Sequence, residues 1–191
     1  MSGMSLSDRF NKLRKDLTVA PQDAPRPDDG LGQLASALGL EYRPSKRKAP
    51  AYLRGAVDGH RIAITVPSSG RTKIKVKFDS GLRDLSLRPR SSSTKLITNR
   101  EDLSTGDAEF DARYRLLGAP GAAADPLVAY LTPERRTVLV ALDDAFDVDE
   151  IEEDDLEVYL PAEASITELR EAIEVCLLAA SSLAADIADA V

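Results

Sequence analysis

Residues 71–78, RTKIKVKF, alternate without a break: Arg71, Lys73, Lys75 and Lys77 fall on one side, Ile74, Val76 and Phe78 on the other. A period of two over that length is the pattern of a β-strand with one face in a core and one in solvent. Similar segments flank it. AYLRGAV (51–57) and RIAITV (61–66) meet around Asp58-Gly59, a dipeptide that favours the type I′ turn of a tight hairpin. LRDLSLRP follows at 82–89, TKLIT (94–98) reads as a short fifth strand, and FDARYRLLG (110–118) alternates again. Together these segments predict a β-meander.

Helical signals bracket the meander. Asp29 is placed to cap a helix carrying Leu31, Leu34, Ala35 and Leu38 on one face, with Gly39 where a left-handed C-terminal cap belongs. After residue 118, DPLVAYL and TPERRTVLVAL each begin with a capping side chain followed by proline. DDAFDVDEIEEDD (143–155) reads as an acidic loop and DLEVYL as a further strand. From Ser165 a long C-terminal helix opens with the S-x-x-E capping box formed by Ser165 and Glu168. The order predicts an α+β fold: a mostly antiparallel sheet, helices packed on one face, and the other face turned to water or to a partner. Residues 1–28 separate by composition. Leu6, Phe10, Leu13 and Leu17 form one stripe of a short amphipathic helix, and a Pro/Asp linker joins it to one α+β domain over 29–191.

Charge divides the chain. Residues 41–100 hold 15 Lys/Arg against 4 Asp/Glu, whereas 101–191 hold 5 against 23, within a formal net charge of −7. Asymmetry of this kind bears on partners rather than on fold.

Catalytic chemistry finds little to work with. His60 is the only histidine, Cys176 the only cysteine, and a zinc site of the usual N/S type is excluded on that count. His60 follows the Asp58-Gly59 turn and reads as a solvated hairpin residue; Cys176 lies among apolar neighbours and reads as a buried thiol. No cofactor is implied, since neither GxxxxGK[ST] nor GxGxxG occurs. The acidic run lacks the glycine an EF-hand loop needs at its sixth position, which leaves a solvated loop or a weak cation site. Arg43 to Arg47 fits RxxxR, and Asp102 to Gly106 is similar to the DxSxxG loop of PilZ domains. That loop is one residue short of its glycine, however, and two hairpins part the two elements.

TGDAEFDARYRLLG (105–118), with the helices after it, resembles a family of uncharacterised bacterial proteins that carry a GDxxFDxx[FY] strand motif. The likeness covers roughly 50–190. It implies no activity, and structural duty accounts for Gly106, Asp107, Phe110, Asp111 and Tyr114.

The distinctive surface is therefore the strand at 71–78. Its cations stand about 6.6–6.8 Å apart on the outer face, and the sequence offers few counter-charges on the flanking strands. Three readings follow: a polyanion site for nucleic acid or acidic lipid, a site for an acidic protein surface or another copy of the chain, and a solvated face that resists aggregation. The reading carried forward is a non-enzymatic, cytoplasmic interaction or adaptor module. In it Arg71, Lys73, Lys75 and Lys77 recognise an acidic partner while Leu6, Phe10, Leu13 and Leu17 add apolar docking; polyanion binding through the same face is the alternative. No transmembrane segment is expected, because Asp186 and Asp189 interrupt the apolar run at 175–191.

Overall fold

A computed structural model of the chain describes residues 28–46, 49–82, 85–91, 100–119, 124–152 and 154–184. Within them the predicted α+β class holds. The strands are β1 (Glu41–Arg43), β2 (Ala51–Val57), β3 (His60–Val66), β4 (Thr72–Lys77), β5 (Ser86–Pro89), β6 (Glu101–Leu103), β7 (Tyr114–Gly118), β8 (Asp147–Glu152) and β9 (Asp155–Leu160). They form one antiparallel sheet in the order β1-β2-β3-β4-β9-β8-β5-β7-β6. The helices are α1 (Asp28–Leu38), α2 (Ala108–Arg113), α3 (Ala124–Tyr130), α4 (Pro133–Ala145) and α5 (Ile166–Leu183).

Most local signals act where the sequence places them, but α1 begins at Asp28 and α3 at Ala124, which puts the expected caps Asp29 and Asp125 inside their helices. Asp58 (φ 49°) and Gly59 (φ 83°) both occupy the left-handed region, as a type I′ turn requires, and join β2 to β3. Thr132 caps α4 with Pro133 at its first position, and Ser165 and Glu168 complete a reciprocal capping box on α5. Gly39, at φ 68°, ends α1, and the Leu40 amide bonds back to Ala35 O at 2.8 Å.

The core lies between the sheet and the helices. Ile62, Ile64, Ile74, Val76, Leu156 and Val158 point from β3, β4 and β9 onto α5, whose Leu169, Ala172, Ile173, Cys176 and Ala180 are fully buried. Alanines at 172, 179 and 180 let that helix lie close to the strands. Ile62, Ile64, Val66, Leu85 and Leu87 are all buried, as the alternation predicts.

Three expectations are corrected. FDARYRLLG is not one strand: Asp107 accepts from the amides of Glu109 and Phe110, caps α2, and the strand begins only at Tyr114. The acidic run at 143–155 is not a loop. It finishes α4 and then forms β8, with a register shift between Val148 and Glu150. Ser86, which the alternation of LRDLSLRP puts on the outward face, is buried opposite Glu152. The segments TKLIT and 1–27, with Leu6, Phe10, Leu13 and Leu17, lie outside the described residues, as does the chain beyond Ala184.

One topological fact governs the surface. The β8–β9 hairpin, though late in the chain, enters the sheet between β4 and β5. The most acidic segment of the sequence is thereby set against its most basic strand.

Candidate functional site

The described helices gather on one face of the sheet, so its opposite face carries the residues singled out by the sequence. Register brings Lys73 opposite Tyr159, Lys75 opposite Glu157 and Lys77 opposite Asp155. Each cation on the strand finds a carboxylate. Arg71 pairs with Asp147 and lies over the Tyr159 ring at 4.8 Å; Lys73 pairs with Glu157. Lys75 reaches Asp155 at 2.8 Å and Glu157 at 2.9 Å, and Lys77 pairs with Asp154 and lies 3.6 Å from Asp155. On the far side of the acidic strands Arg88 pairs with Glu150. The expectation of a basic patch with few counter-charges is therefore corrected: the charges run as parallel stripes, positive on β4, negative on β9 and β8, positive again on β5.

The stripes alter the acidity of their members. Burial pushes the Glu157 carboxyl up, but hydrogen bonds from Lys73 and Lys75 outweigh it and hold the group below the usual carboxylate range. Burial works against the Lys75 ammonium as well, and its bonds to Asp155 and Glu157 reverse that and raise it. Glu152 has no such rescue. Burial, and then the neighbouring Glu150, push its carboxyl above the ordinary value.

Beyond the stripes, the sheet face over β1–β4 forms a groove of about 690 Å³. Its lining combines the small side chains of Ala56 and Ala63 with Tyr52, the Glu41 carboxylate and the cations of Arg54, Arg61, Lys75 and Lys77. Arg54 bonds Glu41 at 2.7 Å on the edge strand. Arg61 is exposed and has no ion pair among the described residues. The alternation of RIAITV puts Arg61 on the outward face, whereas the groove around it is made by residues of neighbouring strands that no local pattern reports.

A second groove, about 980 Å³, opens at one end of the sheet between the end of α4, the start of β4 and the turn from β9 into α5. Its rim carries Asp143, Asp144, Asp147 and Glu163. Among the described residues no group of three His, Cys, Asp or Glu side chains is placed to hold a metal ion.

His60 is more engaged than a solvated turn residue. Its Nδ1 lies 3.2 Å from Lys77 O and its Nε2 3.0 Å from Ser181 Oγ, tying the start of β3 to the ends of β4 and α5. The fold thus sets a hydroxyl beside the histidine, but Ser181 donates to Leu177 O at 2.9 Å. An oxyanion formed there would face the carbonyl end of α5 instead of N–H donors. Cys176 is fully buried, and burial pushes its thiol well up. The two elements similar to a PilZ site are parted: Arg43 lies on β1 and Asp102 on β6, opposite edges of the sheet, and Arg47 lies outside the described residues.

The GDxxFDxx[FY] residues perform structural work. Gly106 takes φ 80°, Asp107 caps α2, and the Phe110 ring stacks on Tyr114 at 5.1 Å. Tyr114 donates to Leu139 O at 3.0 Å, and Asp111 gathers the Ser104–Thr105 turn.

No family model matches the chain. No curated protein matches it either. Among solved structures, the crystal structure of the mycobacterial trehalose monomycolate transport factor A, TtfA, is similar in fold. The TM-score is 0.57 at 13% identity, over 83% of this chain and 96% of that one. Likeness at that identity concerns the fold alone. Among the described residues no helix is long and apolar enough to cross a membrane.

Proposed function

We propose that the chain is a non-catalytic interaction module that holds an acidic protein segment in the groove over β1–β4. The observation that carries this reading is Arg61: an exposed guanidinium without an ion pair among the described residues, in a lining shared with Ala56, Ala63, Lys75 and Lys77. Small residues in the lining admit an extended backbone, and the Arg61 guanidinium selects a carboxylate by charge. The likeness in fold to TtfA contributes nothing to the choice of partner.

The same groove suits a nucleic-acid backbone less well. A phosphate track needs a continuous row of cations free to displace counterions. Here Lys73, Lys75 and Lys77 are already bonded to Asp154, Asp155 and Glu157. A duplex would have to lie against those carboxylates.

The test is fluorescence anisotropy with a labelled peptide of alternating Asp and Leu, a Lys/Leu control peptide and duplex DNA, at about 50 and 200 mM salt. The acidic peptide is expected to bind, to weaken with salt, and to lose about tenfold in affinity with Arg61→Glu. Equal binding of both peptides, or an Arg61→Glu protein that binds as before, would sink the reading. Tighter binding of DNA, abolished by the same substitution, would replace it with polyanion recognition.

A further inference from the structure

The two grooves carry opposite charge, and the second fits a different occupant. Its lining sets Phe146, Tyr159 and Leu160, the second of them beneath the Arg71 guanidinium, among Asp143, Asp147 and Glu163. Asp147 is answered by Arg71, whereas Asp143 and Glu163 have no ion pair among the described residues. Burial pushes the Asp143 carboxyl up; Arg113 opposes this, and Asp144 and Asp147 add to it. Unpaired carboxylates among apolar side chains are complementary to a basic amphipathic helix.

The chain contains such a segment. Residues 5–17 hold Arg9, Lys12, Arg14 and Lys15 against Asp8 and Asp16, behind the stripe of Leu6, Phe10, Leu13 and Leu17. We propose that this segment docks in the acidic groove of its own chain, with its apolar stripe towards Phe146 and its cations at Asp143 and Glu163. Charge separates the two grooves: the one over β1–β4 presents the unpaired Arg61 guanidinium, whereas this one presents the unpaired carboxylates of Asp143 and Glu163. Reach is sufficient. Residues 18–27 extend to about 31 Å at roughly 3.1 Å each. Helix α1 packs on α5, which is about 27 Å long at 1.5 Å per residue, and the groove reaches Glu168 in the first turn of α5. The linker therefore spans the length of the helix it must pass.

The experiment uses the full chain with a nitroxide on Ser5→Cys; Cys176, fully buried, does not compete for the label. Amide signals of Ala145, Asp147 and Glu163 are expected to lose intensity, and to regain it with Phe10→Asp, a change outside the groove, or at high salt. The paired substitution Asp143→Lys/Glu163→Lys is expected to release the segment as well. Broadening elsewhere, no broadening, or broadening that Phe10→Asp leaves unchanged would overturn the proposal. So would broadening seen only when spin-labelled chains are mixed with isotope-labelled ones, which would place the segment on a second copy.

Discussion

Lys75 and Glu157 face each other directly across the β4–β9 pair, with Nζ 2.9 Å from Oε1, and Asp155 shares the same ammonium at 2.8 Å. One cation therefore separates two carboxylates on adjacent outward positions of a strand. Lys75→Met leaves those carboxylates without it in a partly buried setting, and is expected to destabilise by about 2 kcal/mol, discounted from the fully buried case because the lysine is about one-third exposed. Adding Glu157→Gln is expected to recover about 1 kcal/mol of that loss as a coupling energy. Urea unfolding of the two single variants and the double variant measures it. Strict additivity would mean that solvent screens the stripe.

Glu157 and Glu152 face the same side of neighbouring strands and are expected to respond to neutral substitution with opposite signs. Glu157 ionises more readily in the folded chain than the ordinary glutamate value of about 4.3. Its contribution is present above that unfolded value and is lost as pH falls through the lower folded one. Glu152 is raised, so its charge weighs against the folded state above its folded value, and protonation relieves the burden as pH falls. Glu157→Gln is thus expected to destabilise near pH 7, with a cost that fades as pH falls below the ordinary glutamate value and through the depressed folded one. Glu152→Gln is expected to stabilise near pH 7, with the benefit shrinking as pH falls towards 4.3. Urea midpoints between pH 3 and 7 decide, and two curves of the same sign would contradict the arrangement of the stripes.

What could be read in the sequence was local chemistry. The Asp58-Gly59 turn, the Thr132-Pro133 start and the Ser165/Glu168 box each depend on residues within a few positions of one another. Phe110 and Tyr114 are ambiguous because a spacing of four places them on one face of a strand and on one face of a helix alike; the Asp107 cap makes Phe110 helical, and the strand starts at Tyr114. Asp147–Glu152 was hidden for another reason. Its four acidic residues have poor intrinsic strand propensity, and its place in the sheet is sustained by buried Val148 and Ile151, by Arg71 just before β4 and by Arg88 on β5. That pairing spans more than 60 positions of sequence, as Arg88 to Glu150 shows, and no periodicity reports it. The same insertion explains why the lysine strand looked like a free basic patch.

The β2–β3 turn gives a direct stability test. Gly59→Ala places a side chain at φ 83° and is expected to cost about 1–2 kcal/mol, although no atom lies close enough to clash. Asp58→Asn keeps a residue that tolerates the left-handed region and is expected to be close to neutral. Thermal unfolding of both separates backbone strain from side-chain contact, and a large cost for Asp58→Asn would point to a carboxylate role at the turn.

Asp111 tests whether the GDxxFDxx[FY] residues serve the fold or a ligand. Its carboxylate accepts from Ser104 Oγ and Thr105 Oγ1, each at 2.7 Å, and from the Thr105 amide at 3.1 Å. Burial pushes the carboxyl up, yet the bonds from Ser104 and Thr105 hold it below the ordinary aspartate value. Asp111→Asn turns one acceptor into a donor facing groups that donate, so about 1–2 kcal/mol is expected to be lost. The loss is expected to concentrate in the turn, with faster hydrogen exchange at the Thr105 amide and little change in α5. At low pH the cost shrinks, because the native carboxyl is itself protonated once pH falls through its depressed value. A stable Asp111→Asn protein with unchanged exchange at Thr105 would mean that the turn holds without the carboxylate, and a ligand role for the motif would then have to be sought.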